Sequence, residues 1–356
     1  SSRHMVYGAV QDAPCQGFTD SISCVAFREN TQQNAPEFLV GGSWDKTVRM
    51  YQVNPSAQTP QIQPGPTQTL HKAPVLCCTW GAANSPYADY VFSGACDNTF
   101  GMWNYKQNKT NIVNAHQSPV SCIRFVALNN GSQPALATAG WDKYLKYWDV
   151  RAPPTQPAIQ VLLPNKAYCM DSHKNMLCVG LSDGTLNFYN LNSPQQPWKT
   201  TKSALTDQLR TVGLWPDLQG YCVGSIEGRV AVELFQDNPQ PPRKSYKFKC
   251  HREDIVPGNK SQGQRVYPVN SISFNHRGSF ATGGADGTIG LWNKNTKRKL
   301  KQLSKKGGAN CITAVKFNTT ATLLAYANSY DWHKGHKFYS QQNNVLYVHK
   351  VQNGEI

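Results

Sequence analysis

A short pattern with an acid in a tight turn recurs down almost the whole chain of 356 residues. Examples are Gly-Ser-Trp-Asp-Lys-Thr at 42–47 and Gly-Ala-Asp-Gly-Thr at 284–288. The six acids are Asp45, Asp97, Asp142, Asp183, Glu227 and Asp286, with spacings of 52, 45, 41, 44 and 59 residues. An aromatic follows six residues after five of them, at Tyr51, Trp103, Trp148, Tyr189 and Trp292. The chain is therefore a series of similar structural units.

Alternation of apolar and polar residues predicts a half-buried strand at the start of each unit. Seven such starts are present, at 21–27, 75–80, 120–125, 168–172, 209–214, 269–274 and 312–317. A period of about 40–45 residues with acidic turns and following aromatics is typical of WD repeats. We therefore predict an all-β fold, a seven-bladed WD-repeat β-propeller that spans 20–356 as one domain, with an irregular seventh blade. Propellers mostly present binding surfaces.

The N-terminal residues precede this series. Ser-Ser-Arg-His-Met at 1–5 resembles an expression scar. A propeller must join its first and last blades or leave open sheet edges. The segment 6–19 has apolar residues to spare, so we predict that it adds a closing strand to blade seven, although Pro14 and Gly17 suit a loop.

Composition excludes several classes of protein. No run approaches 18 consecutive apolar residues, so no transmembrane helix is expected, and no secretory signal is recognised. The eleven cysteines form no Cys-x-x-Cys pair and favour reduced, buried thiols over disulfides or zinc ligation. We expect a protein of the cytosol or nucleus, without metal or cofactor.

Two units contain a His, a Ser or Thr, an Asp and a Trp at matching offsets. Such a tetrad is a structural hydrogen-bond network in WD repeats, and the alternative is a catalytic His–Asp–Ser relay. Repetition in two blades favours the structural interpretation, because catalysis needs one site with an oxyanion hole. The sequence shows no His-Glu-x-x-His, P-loop or Gly-x-Ser-x-Gly motif. The two tetrads are His71, Ser93, Asp97, Trp103 and His116, Thr138, Asp142, Trp148.

Positive charge is concentrated in one part of the chain. The formal net charge is +15, and the segment 243–306 holds 15 Lys/Arg against three acids, a net of +12. One cluster, at 243–252, alternates cations with Tyr246 and Phe248 on an outer strand. The other, at 294–301 with Lys305 and Lys306, is predicted to lie in the turn after the third strand of blade six. Cations with aromatics suit single-stranded nucleic acid, although a solvated rim or a site for acidic proteins has the same composition.

Several longer runs resemble a known family. They are Gly-Ser-Ile-Glu-Gly-Arg-Val at 224–230, Phe-Lys-Cys-His-Arg at 248–252 and Tyr-Pro-Val-Asn-Ser-Ile-Ser-Phe at 267–274. They resemble the WD-repeat mRNA export factors of the nuclear pore and their sister propellers of the mitotic checkpoint. The run Ser-Tyr-Asp-Trp-His-Lys-Gly-His-Lys-Phe-Tyr at 329–339 is similar to the export factors alone.

The resemblance implies a non-enzymatic adaptor, monomeric within a hetero-complex and not bound to membrane. Its partners would be an FG-repeat nucleoporin, which docks a glutamate-bearing GLEBS-type segment on the top face, and single-stranded RNA. Arg229 matches the family's carboxylate-binding arginine, which we expect near the mouth of the central channel. The implied location is the nucleus, at the nuclear envelope and pore complex, and the cytoplasm is an additional location that the resemblance allows. The family's basic rim for nucleic acid or acidic partners corresponds here to Lys247, Phe248, Lys249, Trp292, Lys294, Lys297, Arg298 and Lys299.

Two other functions stay open at this point. A mitotic spindle-checkpoint adaptor would bind checkpoint kinases at kinetochores through the same type of segment. A propeller hydrolase is the more remote alternative, and it would need a channel-facing cluster of carboxylates or histidines. His333 and His336 form the one histidine pair of this kind, and we interpret it as a polar loop because no ligand at metal-binding spacing accompanies it in the sequence.

Overall fold

The chain folds into seven antiparallel four-stranded sheets arranged as the blades of a propeller. The computed structural model describes residues 12–30, 32, 35–151, 154–236, 238–239, 242–255, 263–303, 311–339 and 344–356. The expression-scar residues 1–5, part of the predicted closing segment, and Lys305 and Lys306 of the second basic cluster lie outside these residues. The prediction of an all-β, seven-bladed WD-repeat propeller is confirmed.

In blades one to six the strands follow chain order from the central channel outward. Strand β1 (Ala13–Cys15) precedes them. Blade one has β2 (Ile22–Phe27), β3 (Glu37–Ser43), β4 (Val48–Asn54) and β5 (Gln61–Gln68). Blade two has β6 (Val75–Trp80), β7 (Tyr90–Ala95), β8 (Thr99–Asn104) and β9 (Lys109–Asn114). Blade three has β10 (Val120–Leu128), β11 (Gln133–Gly140), β12 (Tyr144–Asp149) and β13 (Ile159–Leu162).

Blades four to six follow the same order, with two short hairpins inserted in and after blade five. Blade four has β14 (Ala167–His173), β15 (Met176–Leu181), β16 (Thr185–Asn190) and β17 (Lys199–Lys202). Blade five has β18 (Leu209–Leu214), β19 (Gly220–Ser225), β20 (Arg229–Leu234) and an outer strand β23 (Tyr246–Lys249), with a short β21 (Asn238–Pro239) and β22 (Pro242–Arg243) hairpin before it. A second hairpin, β24 (Arg252–Asp254) and β25 (Gln264–Val266), leads to blade six, which has β26 (Val269–Phe274), β27 (Ser279–Gly284), β28 (Ile289–Asn293) and β29 (Arg298–Leu303).

Blade seven is completed by a strand from the start of the chain. It contains β30 (Cys311–Phe317), β31 (Leu323–Ser329), β32 (Val345–Lys350) and, as its outer strand, β1. The long connection between β31 and β32 includes a 3-10 turn, His336–Phe338. No helix in the described parts of the chain is long and apolar enough to cross a bilayer.

Strand β1 lies within the segment for which the sequence predicted a closing strand, and polar contacts reinforce its pairing with β32. Cys15 pairs with Leu346, and both side chains are fully buried. The buried His349 ring lies between Asp12, at 2.7 Å, and Glu355, at 2.9 Å. Together the two carboxylates raise the pKa of His349 to about 9 although burial lowers it. The imidazolium thus joins residues from both ends of the described chain.

Every innermost strand carries a β-bulge near its start. In each, the register shifts by one residue at the second or third position of the strand pair. Bulges redirect a side chain out of the regular alternation. Here the seven bulged residues all line a cavity of about 450 Å³ at one end of the channel. They are Ser23, Leu76, Ser121, Tyr168, Arg210, Asn270 and Thr313. The repeat therefore builds a ring of varied side chains at the channel mouth.

All eleven cysteines are free thiols, and nine of them are buried. In the strands they pack as small apolar groups: Cys77, for example, belongs to the cluster that contains Phe92 and Ile123 between blades two and three.

Candidate docking face and basic rim

The acidic turns between second and third strands lie at one end of the propeller, which we call the top face. In the five turns whose acid is Asp, the carboxylate accepts a hydrogen bond from the backbone N–H two residues later and so closes the turn. In blade two Asp97 accepts hydrogen bonds from the backbone N–H of Thr99, at 3.2 Å, and of Lys72, at 2.8 Å, in the connection from blade one. These bonds and the adjacent His71 hold the pKa of Asp97 below its ordinary value. Asp97 therefore ties the turn of blade two to the connection from blade one at the top face.

The tetrad predicted for blade three is complete. His116 bonds Thr138 at 2.9 Å through Nε2 and Asp142 at 2.9 Å through Nδ1. The indole N–H of Trp148 donates to the Thr138 hydroxyl oxygen at 2.9 Å. The His116 side chain has no exposed surface, so no substrate can reach it. The chain of bonds is a structural element of the blade.

Blade two departs from this pattern at one residue. His71 bonds Ser93 at 2.8 Å and lies 3.4 Å from Asp97, as the tetrad requires. The indole N–H of the fully buried Trp103, in contrast, has no hydrogen-bond partner. The Ser93 hydroxyl therefore does not bridge His and Trp in the way that Thr138 of blade three does.

A third tetrad in blade six escaped the sequence analysis. His251 bonds Thr282 and Asp286, each at 2.9 Å, and Trp292 donates to Thr282 at 2.9 Å. The His-to-Thr separation is 31 residues here and 22 in blade three, because the β24–β25 hairpin is inserted between them. An offset search that allowed an insertion after the histidine would have found it. Trp292 is thus a member of a tetrad as well as of the predicted rim.

The predicted rim residues converge at the seam between blades five and six. On β23 Tyr246 and Phe248 are half-buried while Lys247 and Lys249 are exposed, as the alternation predicts. The Phe248 ring lies 4.5 Å from that of Trp292 across the seam. Two lysines cover the rings, with Nζ of Lys297 4.9 Å from the Tyr246 centroid and Nζ of Lys299 5.7 Å from the Trp292 centroid. These are distances at which cations interact with ring faces.

Lys294 does not belong to the exposed rim, and its predicted role there is corrected. Its side chain is only 3% exposed, and Nζ binds Asp217 at 3.0 Å. The same ammonium lies 4.3 Å from the Trp215 ring centroid. A buried, paired cation cannot neutralise a phosphate without breaking its pair. Lys294 instead fastens the turn of blade six to blade five.

The second basic cluster was predicted to lie in a turn, but most of its described cations lie on a strand. Only residues 294–297 form the turn after β28, and the cations that follow lie on the outer strand β29. Arg298 and Lys299 are exposed on this strand, while Lys301 binds Glu355 at 2.7 Å. The exposed cations among the predicted rim residues are therefore Lys247, Lys249, Lys297, Arg298 and Lys299.

Arg229 lies at the top of the same seam, further from the axis than predicted. Blade five contributes Gln208, Leu209 and Arg210 to the channel mouth, whereas Arg229 begins the third strand. Its side chain is 36% exposed, and Nε lies 3.2 Å from Glu227 Oε1. Gly228 before it has φ 62°, and a Cβ there would lie 2.6 Å from the carbonyl oxygen of Cys250. Only glycine fits this turn, which fixes the direction in which Arg229 leaves it.

Arg229 and Lys249 are directly opposite one another on β20 and β23. Opposed residues of an antiparallel pair project from the same face, and like charges there are destabilising. Of the two residues in this pair, Arg229 has an ion-pair partner in Glu227, whose side chain is partly exposed. The pair is therefore a place where a further carboxylate from outside would be stabilised.

Aromatic side chains cover the top face beside the channel mouth. Trp44 stacks on Trp332 with centroids 4.9 Å apart, and Trp332 stacks on Tyr339 at 4.9 Å. Trp141 is 39% exposed and Ile226 is 37% exposed. Trp44, Trp141 and Ile226 each directly precede the acid of a turn, so in these three repeats an apolar side chain at this position lies on the top face. This surface was not predicted, although the apolar residue before the acid in three repeats is a signal for it in the sequence.

Comparison with known proteins agrees with this architecture. The model of the WD domain, G-beta repeat, matches residues 12–52, 63–104, 107–149 and 259–293. The chain is 36% identical over 333 residues to "mRNA export factor GLE2" of Chaetomium thermophilum, covering 93% of this chain and 86% of that protein. The chain belongs to the family of WD-repeat mRNA export factors.

Two further relatives have similar sequence identity and coverage. The "Poly(A)+ RNA export protein" of Schizosaccharomyces pombe is 35% identical over 339 residues, which are 95% of this chain and 89% of the relative. "Protein Rae1" of Drosophila melanogaster is 35% identical over 326 residues, which are 90% and 88%. In each case the alignment spans nearly the whole propeller, so the family assignment applies to all seven blades.

Proposed function

We propose that this protein is an adaptor in mRNA export that docks a nucleoporin segment on its top face and holds RNA at the seam of blades five and six. Membership of the export-factor family supports the process. Such an adaptor acts in the nucleus, at the nuclear envelope and pore complex. Two different surfaces support the two proposed partners, the top face for the peptide and the seam of blades five and six for RNA.

The top face suits an extended peptide that carries both apolar and acidic side chains. The Trp44–Trp332–Tyr339 stack and the exposed Trp141 offer flat apolar surface around the mouth cavity. Exposed aromatic clusters of this kind are common anchors in interfaces. A GLEBS-type segment of an FG nucleoporin, which bears glutamates, has the required composition.

The observation that carries the docking proposal is the opposed pair Arg229 and Lys249 at the top of the seam. A glutamate from the docking segment would lie between these two cations, of which Arg229 now pairs with Glu227. The guanidinium can hold such a carboxylate in two parallel hydrogen bonds. The weak, half-exposed pair with Glu227 is readily exchanged, because exposed ion pairs contribute at most about 1 kcal/mol.

The rim of the seam suits single-stranded RNA. Five exposed cations flank three half-buried rings on β23 and β28, and Lys297 and Lys299 reach over two of these rings, Tyr246 and Trp292. Cations neutralise phosphates, and ring faces stack on bases with little regard to sequence. We therefore expect weakly selective binding that is strongly salt-dependent.

Calorimetry with a glutamate-bearing GLEBS-type peptide tests the docking proposal. Arg229→Glu places a carboxylate where the peptide's acid should lie and is expected to cost about 2–5 kcal/mol of binding free energy. Arg277→Glu is the matched control, because Arg277 is exposed in the turn between β26 and β27 at the opposite end of the strands. Equal affinity of the folded Arg229→Glu variant and the control would remove Arg229 from the docking site.

A kinetochore adaptor that binds checkpoint kinases through the same type of segment is the second candidate. The relatives reported above are named for RNA export or by a protein name, and none of these names refers to the checkpoint. This favours export as the primary role. A hydrolase is disfavoured by the buried position of the His116 relay in blade three.

A further inference from the structure

Three side chains with metal-binding atoms meet at the top of blade seven. Cys311 is the first residue of β30, and Asp331 and His333 lie in the loop that follows β31. Cys311 pairs with Ser329 across the sheet, so the loop turns back directly over the thiol. The Cys311 sulfur lies 3.7 Å from Nδ1 of His333, and one ligand atom from each of the three residues lies within 4.8 Å of the others.

This arrangement replaces the tight acidic turn of the regular blades. In four of those turns the Asp carboxylate binds a Thr two residues later, as Asp183 does with Thr185. Asp331 instead lies in a long loop and accepts a hydrogen bond from His333, its neighbour two residues on. Its side chain is only 3% exposed, whereas that of His333 is 22% exposed. The cluster is thus closed on the blade side and open towards solvent.

We propose that Cys311, Asp331 and His333 form a three-ligand binding site for Zn²⁺. Sulfur, imidazole nitrogen and carboxylate oxygen are the ligands that zinc prefers. In a tetrahedral centre with Zn–S of about 2.3 Å and Zn–N of about 2.0–2.1 Å, sulfur and nitrogen lie about 3.5 Å apart. The observed 3.7 Å between Sγ and Nδ1 is close to that separation. This proposal does not depend on nucleoporin or RNA binding.

The surroundings of Asp331 favour this role. Its Oδ2 accepts a hydrogen bond from Asn270 Nδ2 at 2.8 Å, and Arg210 lies 4.0 Å away. Asn270 is itself fixed by its bond to the carbonyl oxygen of Ile312, at 3.1 Å. Partners of this kind orient a ligating carboxylate and leave its other oxygen, Oδ1, for the ion. Asn270 is thus a positioning residue for the site.

Zinc binding requires one local rearrangement. The hydrogen bond between His333 Nδ1 and Asp331 Oδ1 must open so that both atoms can face the ion, and the Cys311 thiol must release its proton. The exposed loop position of His333 allows this movement. Asp331 also lines the channel-mouth cavity, so the fourth coordination position can be taken by water.

The competing explanation is a hydrogen-bond network that orders the loop without metal. Cobalt(II) separates the two, because a thiolate bound to cobalt produces a charge-transfer absorption that a hydrogen-bonded thiol lacks. The chelator-treated full chain is titrated with Co²⁺ and then with Zn²⁺. We expect one equivalent of Co²⁺ to develop this absorption and one equivalent of Zn²⁺ to abolish it.

Matched variants assign the ligands. Cys311→Ser should lose the absorption and His333→Gln should weaken Co²⁺ binding, while Cys96→Ser and His336→Gln, which alter a thiol and an imidazole outside the cluster, should bind as the unchanged protein does. Asn270→Ala should weaken binding about 10–100-fold through Asp331. The exposed position of His333 keeps its variant folded even if Cys311→Ser is not. No thiolate absorption in the unchanged protein, or equal binding by His333→Gln and His336→Gln, would overturn the proposal.

Discussion

Two seams of the propeller, between blades two and three and between blades five and six, use equivalent positions of the repeat but differ in how far their side chains are buried. Both contain a complete tetrad, with His116 or His251 at its start. Counted back from these histidines, Asn114 corresponds to Lys249 and Val113 to Phe248. On the third strand, Thr99 lies opposite Asn114 where Arg229 lies opposite Lys249.

The aromatic residue that packs on the tetrad tryptophan lies on the third strand in the first seam and on the outer strand in the second. In the first seam Phe100 on the third strand packs against Trp148 at 5.2 Å, and Trp148 is 1% exposed. In the second seam Val230 occupies the third-strand position, and Phe248 on the outer strand packs against Trp292 at 4.5 Å. Trp292 is consequently only half-buried. One scaffold thus gives a closed seam in one place and an aromatic, cationic groove in the other.

The largest expected effect separates the two tryptophans. Trp148→Ala removes a fully buried side chain and should lower the free energy of unfolding by about 3–5 kcal/mol. Trp292→Ala should cost clearly less stability, because part of its ring already faces solvent, and should weaken RNA binding instead. Chemical denaturation and RNA titration of both variants measure the two effects. Equal destabilisation would show that the second seam is as closed as the first.

A smaller effect is expected at the outer strand. Phe248→Ala should weaken single-stranded RNA binding by about 1–3 kcal/mol through lost stacking, with little change in the salt dependence. It should also lower stability, because the ring packs on Trp292. Val113→Ala is the control, since Val113 is buried at the equivalent position and its loss should affect stability alone. If Phe248→Ala loses stability but keeps RNA affinity, the ring is only a packing residue.

The exposed cations of β29 and its turn should set the salt dependence. Replacing Lys297, Arg298 and Lys299 together by Ala removes at most three phosphate contacts and should flatten the slope of log affinity against log salt by up to about two units. In blade two the exposed Lys106 lies in the equivalent turn and the exposed Lys109 begins the outer strand β9, so their double Ala variant is the control. Peptide binding through Arg229 should be unchanged in both. A slope that is the same in both variants would leave the cluster as a solvated surface.

The smallest expected difference is in the response to acid, where the seams should behave alike. Hydrogen bonds from the tetrad histidine lower the pKa of Asp142 and of Asp286 against the effect of burial. Both carboxylates therefore stabilise the fold above their ordinary pKa of about 3.8, and this stabilisation is lost as the pH falls through their lower folded values. Unfolding measured between about pH 5 and pH 3 should show a weaker pH dependence in Asp142→Asn and in Asp286→Asn. A dependence that either variant leaves unchanged would contradict a contribution from that carboxylate.

Local periodicity was sufficient to predict the propeller, its seven innermost strands and the alternation of Tyr246, Lys247, Phe248 and Lys249. Strands and turns depend on neighbours within a few residues, and the acid of each turn bonds groups two residues away, as Asp45 does with Thr47. The family followed from longer runs such as 224–230. These features are local, so the amino-acid order alone contains them.

Contacts between distant residues decided the rest. In the sequence Lys294 is one cation of a basic cluster. The fold places it against Asp217, 77 residues earlier, and so makes it a buried ion-pair residue. The third tetrad was hidden by an insertion, and the stack of Trp44 on Trp332 joins the first blade to the last. Cys311 lies 22 residues before His333 on the other side of a hairpin, so their proximity depends on the pairing of β30 with β31. Burial and charge pairing depend on which blades become neighbours, and that is a property of the closed ring that no single repeat encodes.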